Sequence, residues 1–303
     1  MLLDRRQFMR LGVATTAATA LGDVSTGRSA DSGVRILAGP GQFVFVDRQG
    51  DPSRPITIYS YLPRQAKASE APIVFVLHGH HRTAEGYRDD WAQHAEKYGF
   101  MVIAPRFDEA SWDEADYSYR SIVDKDRRPV DPSRWSYSVI EHLFDAVKLA
   151  TGNPNPRYLL YGFSEGGQFV HRLVLLLPEA RYSRAVVGTP GWYTMPVLDI
   201  GYPYGLRGSP ATPSSLKHSL ERDVVLLLGA NDTDPRGKDV RQTPQALAQG
   251  AGRFERGQNF YRAAEKSAAE LDARFGWRLE TVAGAAHEPK KISPTAAKIL
   301  MAR

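Results

Sequence analysis

Tyr158-Leu159-Leu160-Tyr161-Gly162-Phe163-Ser164-Glu165-Gly166-Gly167 joins a short apolar run to a strongly apolar helical pattern that continues to about Leu177. The connection is only a few residues long, so a strand must turn sharply into a helix there. Such a turn exposes its central side chain and presses the flanking backbone together. Glycine two places before and two places after Ser164 removes the Cβ atoms that would collide. Serine between glycines also occurs in ordinary loops. Its place between a buried strand and an apolar helix is what makes Ser164 a candidate nucleophile.

Outward from this turn, strand-like and helix-like segments alternate from Gly33 onward. Gln42 to Val46 and Ile56 to Leu62 read as an opening antiparallel pair across the turn-rich stretch 47–52. Ile73 to Leu77, Phe100 to Ala104, Tyr158 to Tyr161, Ala185 to Val187 and Val224 to Leu228 are continuous apolar runs, the pattern of strands covered on both faces. Trp277 to Val282 is the last strand. Helical spacing links Tyr87, Trp91, Ala95 and Tyr98 before Gly99, and Val139, Ile140, Leu143, Phe144 and Val147. A long helical stripe runs Phe260, Ala264, Ala268, Leu271, Phe275 and is expected to end at Gly276. Ser293-Pro294 has the form of an N-cap and first helical residue. Two stretches, 105–135 and 188–222, break the rhythm and are rich in Trp and Tyr. The alternation predicts a mostly parallel sheet with helices on both faces, in one domain spanning 31–303.

A serine hydroxyl is a poor nucleophile at neutral pH and needs a base, itself oriented by a carboxylate. Of the eight histidines, His171, His218 and His287 follow Ser164. His171 lies seven residues into the helix, two turns away from the sheet edge. His218 precedes the strand at 224–228. His287 comes just after the last strand, at the edge where Ser164 should lie. The segment Gly229-Ala230-Asn231-Asp232-Thr233-Asp234 offers two carboxylates after a strand. Asp232 is nearer the strand end, with Asp234 as the alternative and a turn-capping role for whichever is left over. The run His78-Gly79-His80-His81 invites a metal reading, but Arg82 and Thr83 follow it, and no second histidine cluster supplies further ligands.

These residues together resemble the α/β-hydrolase superfamily, in which the order along the chain is Ser, then acid, then His. Within it the chain is similar to the secreted esterase group that includes poly(3-hydroxybutyrate) depolymerase-like and feruloyl-esterase-like proteins, over roughly residues 56–300. The resemblance implies an α/β-hydrolase fold and ester hydrolysis through an acyl-enzyme, with Ser164, Asp232 and His287 as catalytic residues. It also implies an oxyanion hole made by the backbone N–H of Glu165 and a second N–H from the loop at 78–82, on His80 or else His81. The His78 side chain is expected to lock that loop. The insertions at 105–135 and 188–222 should flank the site. This chemistry calls for no cofactor and no metal. The implied substrate is a small or oligomeric ester, and a peptidase or amidase on the same triad is the alternative, as is a binding protein without catalysis.

The first thirty residues differ from the rest. Asp4-Arg5-Arg6-Gln7-Phe8-Met9-Arg10 precedes an apolar stretch from Leu11 to about Leu21. This charged segment and short apolar run resemble a twin-arginine export signal, which predicts transit of the folded protein to the periplasm or beyond through the twin-arginine translocation machinery. The apolar stretch is well short of the roughly 20 residues that span a bilayer, so no stable membrane anchor is expected. The chain has 303 residues, with 39 Lys and Arg against 34 Asp and Glu, a formal charge of +5. Four Arg and two Asp fall in residues 1–30, so part of that basicity belongs to the leader. No basic stripe of the kind that binds nucleic acid is left. The absence of cysteine excludes a disulfide framework, thiolate metal sites and a thiol nucleophile.

Overall fold

The computed structural model describes residues 33–302 apart from residue 127. The expected leader at 1–30 lies outside the described residues. Eight strands among them form one sheet: β1 (Gly39–Phe45), β2 (Ile56–Leu62), β3 (Ile73–Leu77), β4 (Met101–Arg106), β5 (Tyr158–Phe163), β6 (Tyr182–Gly188), β7 (Val224–Gly229) and β8 (Trp277–Val282). Their spatial order is β1-β2-β4-β3-β5-β6-β7-β8. β2 runs antiparallel to both of its neighbours, and every pair from β4 to β8 is parallel. The α/β class with a mostly parallel sheet, and the opening antiparallel pair, are both as expected.

The continuous apolar strands feed two cores at once, because successive side chains point to opposite faces. In β7, Val224, Leu226 and Leu228 pack into one core while Val225 and Leu227 pack into the other. The second core is closed by helices α1 (Ala84–Tyr98), through Trp91 and Ala95, and α8 (Pro289–Met301), through Ile292 and Ala296. The first is closed by α3 (Ser138–Thr151), α4 (Glu165–Leu176), α5 (Pro213–Glu221) and α7 (Arg253–Glu270), which bring in Phe144, Phe169, Leu220 and Phe260. Two short helices, α2 (Glu114–Ser118) and α6 (Pro244–Leu247), lie in the connections. α1 stops where expected, at Gly99, whose φ of 75° is left-handed.

Three local expectations are corrected. The stripe expected to run to Gly276 ends at Glu270, and Asp272 takes a left-handed φ of 50°. Phe275 therefore reaches the core from the loop before β8 rather than from the helix. The last helix starts at Pro289 rather than at Ser293-Pro294, with Glu288 as N-cap and Pro294 inside it. Pro289 fills the first helical position that Pro294 was expected to take. Within the irregular stretch 188–222, α5 is regular and opens on a reciprocal capping box between Thr212 and Ser215, with Pro213 behind the cap.

Candidate active site

The parallel strands deliver their C-terminal ends to one edge of the sheet, the edge at which such sheets seat ligands. Ser164 leaves β5, Asp232 follows β7 and His287 follows β8. The backbone at Ser164 is strained, with φ 58° and ψ −115°. Two glycines make the turn possible. A Cβ on Gly162 would sit 2.1 Å from the Gly166 carbonyl oxygen, and one on Gly166 would sit 2.2 Å from the Leu77 carbonyl oxygen. The Ser164 N–H is tied to the Gly188 carbonyl of the neighbouring strand at 2.8 Å.

The structure brings three of the expected residues into one hydrogen-bonded line. Ser164 Oγ is 2.9 Å from His287 Nε2, and His287 Nδ1 is 2.7 Å from Asp232 Oδ2. A donating Nδ1–H leaves Nε2 free to accept the serine proton. The imidazole packs on the Phe163 ring, with centroids 4.7 Å apart. Asp232 is buried, and its second oxygen, Oδ1, faces Arg253 Nη1 at 3.3 Å. Asp234 is exposed and accepts the Arg236 N–H, a turn-capping role. His171 is buried away from this line, donating through Nδ1 to the Gly167 carbonyl and accepting the Thr194 N–H at Nε2. His218 is exposed on α5.

The loop after β3 lies against the start of α4. The Glu165 N–H is the first of that helix and has no partner within it. Among the described residues, neither His80 N–H nor His81 N–H has a backbone acceptor. The His78 ring is buried and locks the loop, donating to the Gly79 carbonyl at 2.9 Å and accepting the Phe107 N–H at 3.1 Å. Burial drives its pKa down to about 3, so the ring is neutral. Tyr117 donates its hydroxyl to the His78 carbonyl, and the Arg82 guanidinium lies over the Tyr117 ring.

Two residues that sequence reasoning assigned no side-chain role stand out. Arg253, on the first turn of α7, supplies the second contact to Asp232. Glu165 was expected to contribute only its backbone. Its carboxyl is buried, 3.6 Å from His80 Nδ1 and 3.7 Å from Arg82 Nη2, beyond hydrogen-bond range of both. The nearby Ser118 hydroxyl is donated to the Glu114 carbonyl instead. Burial pushes the Glu165 carboxyl up to about 7, with Arg82 and His80 opposing the rise and Glu114 adding to it. Only the backbone positions, not these contacts, were signalled by the G-x-S-x-G pattern.

Two pockets meet at Ser164. The larger, about 480 Å³, includes Tyr87, Phe163, Lys238 and His287 in its wall. The smaller, about 310 Å³, is walled by Glu114, Glu165, Gln168, Trp192 and Arg241. Ser164, His80 and Asp239 line both. Glu114 belongs to the first aromatic-rich insertion and Trp192 to the second, so each contributes to the smaller pocket.

No protein-family model matches the sequence, and no curated protein sequence does. Solved structures do. Poly(aspartic acid) hydrolase-1 from Sphingomonas sp. KT-1 is 40% identical, with a TM-score of 0.85, over 88% of this chain and 100% of that one. LpqC, a poly(3-hydroxybutyrate) depolymerase from Bordetella parapertussis, is 29% identical with a TM-score of 0.83, over 87% of this chain and 89% of that one. Likeness of fold alone extends to an acetyl xylan esterase from Aspergillus awamori, with 16% identity and a TM-score of 0.54, over 86% of this chain and 100% of that one. Sequence identity sustained over the whole of the first of these chains, with closely superposable folds, shows common descent: this chain belongs to the α/β-hydrolase superfamily, in the group that includes poly(aspartic acid) hydrolase-1 and LpqC.

Proposed function

We propose that this protein cleaves carboxylic esters through an acyl-enzyme, with Ser164 as nucleophile, His287 as general base and then acid, and Asp232 holding the imidazole. The observation that carries this reading is the unbroken line from Ser164 Oγ to His287 to Asp232, with both links at hydrogen-bond distance. His287 takes the hydroxyl proton as Oγ bonds to the carbonyl carbon. The tetrahedral adduct then loses the leaving-group oxygen, which takes that proton from His287. Water gives a proton to His287 and adds to the same carbon, the Ser164 ester bond breaks, and the proton returns to Oγ. The N–H groups of Glu165 and His80 face the oxyanion of both adducts.

Amide hydrolysis by the same residues is the second reading. It is favoured by the likeness to poly(aspartic acid) hydrolase-1, whose named substrate is a polyamide. The arginine pair at 5–6 and the apolar run after it support export by the twin-arginine route, which would set the enzyme to work outside the cytoplasm. A fluorophosphonate probe should label wild-type protein at Ser164, and Ser164→Ala should lose labelling and cut ester turnover by on the order of 10⁵-fold or more. Wild-type protein that is folded yet unlabelled would overturn the reading. Nitrophenyl esters set beside matched anilides decide between ester and amide.

A further inference from the structure

The two pockets at Ser164 differ in one respect that bears on substrate orientation. His287 lines the larger and is absent from the wall of the smaller. In an acyl transfer the imidazole that receives the serine proton must hand it to the leaving atom. The leaving group therefore departs on the side of His287, into the larger pocket. The acyl part, bonded to the same carbon, is directed to the other side.

From this we infer that the smaller pocket is the acyl subsite, that the larger is the leaving-group subsite, and that Arg241 is the residue that selects the acyl group. The inference rests on the serine-hydrolase reading above. Arg241 is seated rather than loose: its guanidinium lies 4.6 Å over the Trp192 ring, and its Nε donates to the Tyr204 hydroxyl at 3.1 Å. The contact of Nη1 with Glu114 Oε1, at 3.7 Å, is longer than a hydrogen bond. The guanidinium is thus held at the wall of the pocket by the ring and, through Nε, by the hydroxyl, which leaves the terminal nitrogens with donors to offer. Arginine has no acceptor, so what it selects is an oxygen on the acyl chain. Glu114 and Asp239 share this pocket with the one guanidinium, which weighs against an acyl group carrying several negative charges. The ligand class is a short acyl chain bearing an acceptor oxygen, such as an ether, hydroxyl or carbonyl.

The test uses the acyl-enzyme itself, because once the leaving group is gone only acyl contacts can influence deacylation. The probes are 4-nitrophenyl 3-methoxypropanoate and 4-nitrophenyl pentanoate, which differ by oxygen in place of one methylene, each also prepared with a second phenol as leaving group. In wild type the methoxy ester should be preferred, after correction for its chemical reactivity. Arg241→Met should lower the methoxy-to-pentanoate ratio of deacylation rates by about tenfold, by the same factor with either phenol, and Arg241→Lys should recover part of it. Trp192→Phe, which loosens the seat of the guanidinium, should lower the ratio by a smaller factor. A ratio that stays at the wild-type value in both Arg241→Met and Trp192→Phe overturns the assignment. So does an effect of Arg241→Met that changes with the phenol and leaves deacylation untouched, since that places Arg241 on the leaving-group side. Turnover that persists in Ser164→Ala would instead overturn the serine-hydrolase reading beneath it.

Discussion

At the residue scale, two aspartates lie two positions apart just past the end of β7 and do different things. Asp232 is buried between His287 and Arg253, whereas Asp234 caps a turn in solvent. Asp232→Asn should lower kcat by about 10⁴-fold, because an amide no longer fixes the imidazole in the tautomer that accepts the serine proton. Asp234→Asn should stay within about twofold. Steady-state kinetics on one ester separates them, and equal losses would mean that the carboxylates share the role. Glu165 bears on stability through its pH dependence. Its ordinary pKa is 4.5, and burial raises it to about 7 in the folded protein. Between those values the unfolded chain releases the proton and the native protein keeps it, so this group's contribution to stability falls as pH rises and levels off above about 7. Glu165→Gln lacks that loss. Relative to wild type it should gain on the order of 3 kcal/mol between about pH 5 and pH 8, read from urea midpoints. A difference that is flat with pH would show that Glu165 titrates normally. Ser164, Asp232 and His287 were legible in the sequence because each follows the end of a strand, which fixes its position before any packing is known. Arg253 and the Glu165 carboxyl were not, because their contacts depend on the path of loops that no periodicity describes.

At the element scale, the buried strands β3, β4, β5 and β7 could be read to within two residues at either end, since an apolar run covered on both faces has no competing pattern. By contrast, β6 begins at Tyr182 and passes the exposed Ser183 and half-buried Arg184 before the apolar run at 185–187. The helix ends at the rim of the sheet were harder. The stripe to Phe275 has helical spacing, yet the chain leaves the helix at Leu271 and still buries Phe275 from a loop. Apolar periodicity reports which side chains meet the core and is silent on the backbone that carries them. The turn from β5 to α4 is the opposite case, because its glycines report the backbone directly. With the Leu77 carbonyl 2.2 Å from the place of its Cβ, Gly166→Ala must push β3 and α4 apart. The expected cost is about 3 kcal/mol or more of stability, with loss of fluorophosphonate labelling as the elbow shifts. A variant with wild-type Tm and labelling would mean that helix and strand can separate without disturbing Ser164.

At the scale of the whole molecule, the sheet positions Ser164, Asp232 and His287, but the two pockets at Ser164 are walled by connections far apart in sequence, and buried arginines tie these together. Arg172, on α4, donates to the Ser118 carbonyl in the first insertion and to the Thr194 hydroxyl in the second. Arg256, on α7 and fully buried, donates to the carbonyls of Gly191, Arg241 and Gly250. It thereby joins the segment carrying Trp192 to the segment carrying Arg241, the two side chains stacked in the smaller pocket. None of this could be read from composition, where an arginine inside a helical stripe looks like a solvated face. Arg256→Met fills much of the same volume and leaves three carbonyls without their donor. Part of that loss is offset by no longer burying a charge, so the net cost should be about 3 kcal/mol. The hydrogen-bonded line from Ser164 to Asp232 rests on β5, β7 and β8 and does not pass through Arg256. The variant should therefore still react with a fluorophosphonate, while its KM for esters rises severalfold as the Trp192 and Arg241 segments lose their shared anchor. Urea denaturation together with kcat and KM on one ester measures both effects. An unchanged midpoint with an unchanged KM would show that the two segments hold their positions without the guanidinium.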